Sequence, residues 1–268
     1  MLKDFKYGDT GELAPYTGGT QGMVITDKYI LLSQHTADNE TSVIHVLDKK
    51  TLVRKNVILI DPLVYGYTFG HIGNMAYDND TGYVYVLTNK KVNAVPQLAK
   101  FRVNNNGEIV DLSLLDSPQN SSLITYDGDH KQFIFQNSNK IWIYDNNFNL
   151  KKSFDAPSNL TRQGITYWKG HIYYACFEGG IPSKYQTIFN YNEKGSNLIY
   201  MYDLDGNLIK TLYISNKSVK GEIEGIAFQD NGEMIINYNA VGIKIYKSSF
   251  PIQVKELKLI KKPISNWF

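Results

Sequence analysis

The sequence predicts an all-β fold, a five-bladed β-propeller with four antiparallel strands per blade. Three observations support this. One pattern of four short strands recurs five times within the 268 residues, each copy begins with a similar segment, and the fourth strand of each copy is the most polar. Blades of this kind run at about 40–50 residues, with longer copies taking up the excess in loops. The five copies begin near Gly22, Asn74, Leu123, Gly164 and Gly225.

The first strand of each copy leads into a polar turn, as expected for a hairpin. The second strands are predicted at 29–34, 83–88, 132–137, 171–176 and 233–238, and the third at 42–48, 97–103, 140–145, 197–203 and 242–247. The first two strands are apolar on both faces, which is typical of sheets that are covered on both sides.

The fourth strands carry most of the charge and are predicted to form the rim, at 53–60, 108–115, 150–156, 208–214 and 254–260. A two-sheet sandwich or an irregular solenoid would also give an all-β pattern, but neither explains why the outermost strand of every copy is the polar one. We therefore predict one propeller domain over 1–268, with blades at 20–60, 72–115, 121–156, 162–214 and 222–260.

Charge and composition bear on the partners. The chain has 28 basic and 26 acidic residues, 43% hydrophobic content and a formal charge of +2. This balance disfavours nucleic acid, because a nucleic-acid binder concentrates basic residues on one surface. The one basic cluster, Lys255, Lys258, Lys261 and Lys262, is expected at the solvated edge of the last strand, where lysines block edge-to-edge pairing. No membrane insertion and no cofactor are expected.

Cysteine usage and the N-terminus leave the localisation open. Cys176 is the only cysteine, so no intrachain disulfide is possible, and its apolar strand predicts a small core residue. The N-terminal segment lacks the apolar core of a signal peptide. Release by lysis or display on a virion remains compatible with an extracellular role.

The predicted topology divides the loops between two faces. In a four-stranded meander, the links between blades and the loops between the second and third strands share one face, and the hairpin turns share the other. The first face carries the long segments at 8–19, 61–73, 89–96 and 178–196, of which 178–196 is the longest. Long loops frequently carry function, so we predict the ligand site on this loop-rich face.

The candidate binding residues on that face are amide-rich and bordered by aromatic side chains. Amides and charges suit hydroxyl-rich ligands, and aromatic rings pack against sugar C–H surfaces. Residues 65, 67 and 69 project to one side of an extended segment, so they are expected to form an exposed aromatic platform. The predicted ligand-binding set is Gln21, His35, Tyr65, Tyr67, Phe69, His71, Asn74, Arg162, Gln163, Glu178, Tyr185, Tyr191, Glu222 and Glu224.

No catalytic residue is predicted. Glu222 and Glu224 have a spacing of about 7 Å along a strand, but paired glycosidase carboxylates normally face each other across a cleft. His35 and His71, with Glu178 or Glu224, have no spacing that specifies a metal. The acidic segments 78–80 and 203–206 lack the later glutamate of a calcium loop and are better explained as turns. Nucleophile and phosphate-loop motifs are absent from the sequence.

Four of the five copies also resemble a known protein family in the segment that begins each copy. The segments TQGMVITDKYILLSQ, GHIGNMAYDNDTGYVYV, RQGITYWKGHIYY and EIEGIAFQDNGEMII resemble the five-bladed propeller shared by phage receptor-binding proteins, TagC-like proteins and helveticin-type bacteriocins. The resemblance implies recognition of a bacterial cell-surface glycan or glycopolymer such as teichoic acid, within a larger assembly such as a phage tail. The alternative is a propeller enzyme, a lactonase-like metal hydrolase or a glycan hydrolase or lyase, that uses the same face.

Overall fold

The computed structural model describes residues 2–5, 20–35, 42–60, 69–70, 72–92, 95–121, 123–157, 160–177, 197–214, 222–240 and 242–248. Within these ranges the regular secondary structure consists of β-strands, arranged in antiparallel four-stranded sheets. Across the same ranges there is no helix of the length and hydropathy needed to cross a membrane. The all-β prediction is confirmed.

The first two blades are meanders of consecutive strands, as predicted. Blade one consists of β2 (Thr20–Ile25), β3 (Tyr29–His35), β4 (Ser42–Asp48) and β5 (Arg54–Ile60). Blade two consists of β6 (Met75–Asp78), β7 (Tyr83–Val92), β8 (Val95–Val103) and β9 (Ile109–Asp116). The loop predicted at 89–96 is instead mostly strand, because β7 and β8 continue as a hairpin in which Lys91 pairs with Pro96 and Val92 with Val95.

Blades three and four follow the same plan. Blade three consists of β10 (Leu123–Asp127), β11 (Gln132–Asn137), β12 (Lys140–Asp145) and β13 (Leu150–Asp155). Blade four consists of β14 (Thr161–Trp168), β15 (His171–Phe177), β16 (Asn197–Asp203) and β17 (Leu208–Ile214).

The fifth sheet corrects the prediction for the last blade. It holds three consecutive strands, β18 (Glu222–Phe228), β19 (Met234–Ala240) and β20 (Gly242–Ser248). The position beside β20 is occupied by β1 (Leu2–Phe5), with Leu2 opposite Ser248 and Phe5 opposite Ile245. The chain thus forms four consecutive blades and a partial fifth that is completed from the other end of the sequence. The predicted outer strand at 254–260 and its lysines lie outside the described residues.

The sheets form a propeller ring whose apolar core lies between neighbouring sheets. Blades one and two share a cluster that includes Leu31 and Met75, and blades three and four share one around Ile165. The fifth sheet packs on blade four through Ile226 and on blade one through Ala227. Because both faces of each sheet are covered in this way, the inner strands are apolar on both sides.

The turns between the third and fourth strands are closed by their own side chains. Asp145 accepts hydrogen bonds from the side chain and backbone of Asn149, and Asp203 does so from Asn207. These bonds, the side-chain bond first, lower the pKa of both carboxyl groups. The acidic segment at 203–206 therefore serves a hairpin turn, as predicted, since its leading carboxylate is already used within the turn.

Candidate functional site

The described members of the predicted binding set are mostly buried. Gln21, Asn74, Gln163 and Glu224 are buried, and Phe69 is fully buried. Arg162 is half-buried, with Nη1 3.4 Å from the carbonyl oxygen of Ser138. His35 lies in β3 and Glu222 in β18, but their side chains are outside the described part. Tyr65, Tyr67, His71, Glu178, Tyr185 and Tyr191, together with the loop at 178–196, also fall outside it.

Gln21, Gln163 and Glu224 share a structural reason for their burial. Each lies where the pairing between the first and second strands shifts, between Thr20 and Met23, Arg162 and Gly164, and Ile223 and Gly225. Such a β-bulge inserts an extra residue and bends the strand. The Gln-Gly and Glu-Gly pairs near the start of these strands therefore have a structural role.

The glycines of these pairs allow the inner strands to approach one another closely. A Cβ at Gly22 would overlap the carbonyl oxygen of Gly73, and one at Gly225 would lie 3.1 Å from the amide nitrogen of Met23. Only glycine permits backbones to come this near. At these bulges and glycines, the first strands of neighbouring blades lie close together at the centre of the ring.

The side chain of Asn74, in blade two, forms hydrogen bonds with three other blades at the centre of the ring. Its Oδ1 accepts a hydrogen bond from the Met23 amide at 3.3 Å, and its Nδ2 donates to the carbonyl oxygens of Ile124 at 3.2 Å and Ile165 at 2.5 Å. The predicted ligand residue thus uses both its donor and its acceptor on the protein backbone. We assign Asn74 as a structural plug of the central channel.

The predicted aromatic platform is wrong at Phe69. Its ring is fully buried and stacks on Phe101, with 6.3 Å between the centroids and 23° between the planes. Tyr65 and Tyr67 lie outside the described residues. The alternation of residues in an extended segment does not show whether a given side faces solvent or the core between two blades.

A central cavity opens on the opposite face, among the short hairpin turns that follow the first strands. Its volume is about 470 Å³, within the range of small-molecule sites. Met23, Met75 and Ile165 lie along it at the level of the Asn74 plug. The other lining residues are Val24, Ile25, Thr26, Asp27, Lys49, Tyr77, Asn79, Thr125, Tyr126, Gly128, Asp129, Thr166, Tyr167, Trp168, Lys169, Ala227, Phe228 and Asp230.

The repeat explains this lining. Counted from the first residue of each copy, the fourth position holds Ile25, Tyr77, Tyr126, Tyr167 and Phe228. The sixth position holds Asp27, Asn79, Gly128, Lys169 and Asp230. All ten line the cavity. Equivalent positions of a repeat occupy equivalent places around the axis. A ring with four aromatic side chains and Ile25 therefore lies beneath a ring of mostly polar residues.

Two tyrosines fix two of the aspartates in the neighbouring turn. The Tyr167 hydroxyl donates to Asp129 Oδ2 at 2.8 Å and accepts from the Gly170 amide at 2.9 Å. Burial, followed by the hydrogen bond to Asp27, raises the pKa of Tyr77 to about 12. Burial and the bond to Asp129 likewise raise the pKa of Tyr167. Both hydroxyls therefore remain donors at neutral pH and hold carboxylate acceptors at the mouth of the cavity.

The two lysines of the lining are engaged by other side chains. Lys49 pairs with Asp230 at 2.8 Å, which links blade one to the fifth sheet. Lys169 Nζ lies 4.7 Å from the centre of the Trp168 ring, whose other neighbour is Phe228, stacked at 4.7 Å. Because Lys169 and Phe228 both contact the indole, Trp168 does not offer a vacant platform for a sugar.

The described residues give no sign of metal or thiol chemistry at this cavity. Within the described ranges, no three His, Cys, Asp or Glu side chains are grouped so as to hold a metal ion. Cys176 is fully buried in the cluster between blades three and four, and burial raises its pKa to about 12. Its prediction as a small core residue is confirmed.

The sequence prediction followed loop length to the loop-rich face, whereas this cavity opens among the short hairpin turns of the other face. A usable signal was present: polar residues recur at the sixth position of the repeat, beside recurrent aromatic residues at the fourth.

The known proteins that resemble this chain resemble it in fold only. No protein-family model matches the chain, and no curated protein matches it. An exo-β-1,3-galactanase from Phanerochaete chrysosporium, solved with β-1,3-galactotriose, is similar in structure, with a TM-score of 0.55 at 11% identity, over 92% of this chain and 63% of that chain. The Pan2 WD40 domain of Neurospora crassa has a TM-score of 0.49 at 11% identity, over 88% of this chain and 91% of that chain. A luciferin-regenerating enzyme has a TM-score of 0.47 at 10% identity, over 85% of this chain and 76% of that chain.

Proposed function

We propose that the protein binds a carbohydrate, without converting it, in the central cavity on the hairpin-turn face. The observation that carries the proposal is the lining of a cavity of about 470 Å³, in which carboxylate and amide acceptors lie above a ring that is aromatic at four of its five positions. Sugars combine hydroxyl donors with apolar C–H surfaces, and pockets that bind them combine these two kinds of side chain.

The carboxylates of the lining support binding more than catalysis. Asp129 is held by Tyr167, Asp27 by Tyr77 and Asp230 by Lys49. A glycosidase needs two carboxyl groups in different protonation states on either side of the scissile bond. Carboxylates that are each held by a neighbouring donor are suited to accept hydrogen bonds from the hydroxyl groups of a ligand.

We infer that the ring is a five-bladed propeller in which β1 completes the fifth sheet. We also take the ligand to be a glycan of a bacterial cell surface, as the resemblance to receptor-binding propellers implies. The structural similarity to the galactanase supports the propeller fold, and that protein was solved with a trisaccharide. The loop-rich face is not part of this proposal.

The test is a binding survey with a variant that fills the cavity. Thr166 lines the cavity, whereas Ser113 is exposed on the outer strand β9. We expect a glycan array and saturation-transfer NMR with Gram-positive cell-wall carbohydrates and simple pyranosides to show binding. Thr166→Trp is expected to abolish it and Ser113→Trp to leave it unchanged, with equal thermal melts as the check on folding. The absence of any glycan binding, or equal binding by both variants, would contradict the proposal.

A further inference from the structure

At the third position of the copies, the cavity lining is polar on one side and apolar on the other. Counted from the first residue of each copy, this position holds Val24, Ala76, Thr125, Thr166 and Ala227. Of these, all but Ala76 line the cavity. Hydroxyl groups therefore come from the adjacent blades three and four, and aliphatic groups from the fifth sheet and blade one.

Thr125 is nine-tenths buried and has an unused hydroxyl. The residue is 6% exposed, and it lines the cavity. Neither Thr125 nor Thr166 makes a side-chain hydrogen bond to another of the described residues. Neither hydroxyl oxygen is among the fully enclosed, unpartnered side-chain atoms of the described residues. Both hydroxyls therefore remain accessible from the cavity, where they can bind water or a ligand.

Asp129 adds an acceptor on the same side. Its Oδ2 receives the Tyr167 hydroxyl at 2.8 Å, which fixes the carboxylate in place, and its Oδ1 has no hydrogen bond within the described part of the chain. Two hydroxyls that can donate or accept thus lie on the same side as a carboxylate oxygen that only accepts. A ligand must bring hydroxyl donors to this side.

The opposite side has the reverse character. Val24 and Ala227 are buried aliphatic residues, and Met23 packs with Ala227 in the same cluster. Small apolar side chains at this position accommodate a C–H face or a methyl substituent, and they offer no hydrogen bond to a hydroxyl.

The charges of the lining oppose an anionic ligand. Three aspartates line the cavity, Asp27, Asp129 and Asp230, and the two lysines are engaged with Asp230 and with the Trp168 ring. With three aspartates and two lysines, the lining has a net charge of −1, which opposes the entry of a phosphate or carboxylate. The charge of the lining therefore favours a neutral sugar over the phosphate backbone of a teichoic acid as the group that occupies the cavity.

Resting on the proposed function, we infer that the ligand group is a neutral pyranose. Its hydroxyls bind Thr125, Thr166 and Asp129, and its apolar face lies against Val24 and Ala227. Thr125 and Thr166 are the specificity-determining residues of the site, because no equivalent position in the other blades supplies a hydroxyl.

Isosteric replacement tests this assignment. Thr125→Val and Thr166→Val remove a hydroxyl and keep the shape of the side chain. Thr161→Val is the matched control, since Thr161 is exposed on the same strand as Thr166 and lies outside the cavity lining. The probes are the methyl pyranosides of galactose, glucose and mannose, with glucuronic acid and glycerol phosphate as anions, measured by titration calorimetry at low salt.

We expect the wild type to bind at least one methyl pyranoside and to bind both anions at least about tenfold more weakly. Each of the two valine variants at the cavity should lose about fivefold in affinity, the effect of one net hydrogen bond, and Thr161→Val should match the wild type. A deoxy sugar that lacks the bonded hydroxyl should bind the wild type and the matching valine variant equally.

Two results would overturn the inference while leaving the proposed function standing. One is sugar binding that Thr166→Trp abolishes but that both valine variants keep at wild-type strength. The other is tighter binding of glycerol phosphate or glucuronic acid than of every neutral pyranoside. If no sugar binds, the proposed function fails and the inference fails with it.

Discussion

The side-chain amide of Asn74 donates a hydrogen bond to the carbonyl oxygen of Ile165 at 2.5 Å, from blade two to blade four. The same side chain bonds β2 of blade one and β10 of blade three. One residue therefore connects four of the sheets at the centre of the ring. Because Met23 and Ile165 also line the cavity, the Asn74 side chain lies at its inner end, and the cavity opens among the hairpin turns.

Replacement of Asn74 should destabilise the whole domain. Asn74→Ala leaves buried backbone groups of Met23, Ile124 and Ile165 without this partner, and we expect a loss of about 2–4 kcal/mol in the free energy of unfolding. Asn74→Asp should behave similarly because a carboxylate cannot donate to two carbonyl oxygens. Urea denaturation measures the effect, and Asn79→Ala, at an exposed turn position, should change stability by less than about 0.5 kcal/mol. A stable Asn74→Ala protein would argue against the plug.

The central glycines should tolerate alanine unequally. A Cβ at Gly22 would overlap the backbone of Gly73, whereas one at Gly164 would lie 3.2 Å from the Gly225 Cα, where a small shift gives room. We expect Gly22→Ala to cost about 3 kcal/mol or more and Gly164→Ala about 1 kcal/mol. Both variants replace glycine by alanine, so each serves as the control for the other in thermal and urea unfolding. Equal effects would show that the close approach at Gly22 does not constrain the ring.

His45 should make the protein acid-sensitive. Burial, with a smaller effect from Arg54, lowers the pKa of His45 to about 4 from its ordinary 6.5, and Nε2 lies 2.8 Å from Gln34 Oε1. Between these values the unfolded chain binds the proton and the folded protein does not. Stability from this residue is therefore fully present above about pH 6.5 and is lost as the pH falls toward 4, by about 3 kcal/mol at most.

The measurement for His45 is urea denaturation at several pH values between 7.5 and 4.5. Because carboxyl groups also titrate at the acid end, the wild type is compared with His45→Gln, which does not titrate. The wild type should lose more stability than the variant over this range. Parallel curves would mean that His45 does not contribute to the acid sensitivity.

Cys176 should be unreactive in the folded protein. Burial raises the pKa of its thiol to about 12, and the side chain is fully buried, so neither thiolate nor access is available. We expect Ellman's reagent to detect essentially no thiol in native protein at pH 8 and one thiol per chain in denaturant, since the sequence has one cysteine. Rapid native reaction would indicate that the cluster between blades three and four opens readily.

The strand pattern and the turn chemistry could be predicted from the sequence because both are local properties. Alternating and continuous apolar runs define strands within a few residues, and an aspartate followed four residues later by asparagine is sufficient to close a turn, as at Asp145 and Asn149. Four blades have strands close to the predicted positions. The burial of Cys176 follows from the same patterns.

The tertiary structure decided the features that depend on residues far apart in the chain. The pairing of β1 with β20, the plug at Asn74, the burial of Phe69 and the face on which the cavity opens are of this kind. The polar residues before Gly22, Gly164 and Gly225 had the composition of a binding site, yet all three are buried at bulges of the first strands. The physical reason is that a side chain's surroundings in a ring of sheets are set by neighbouring blades. A local pattern therefore determines which residues form the strands, whereas packing around the axis determines which of them a ligand can reach.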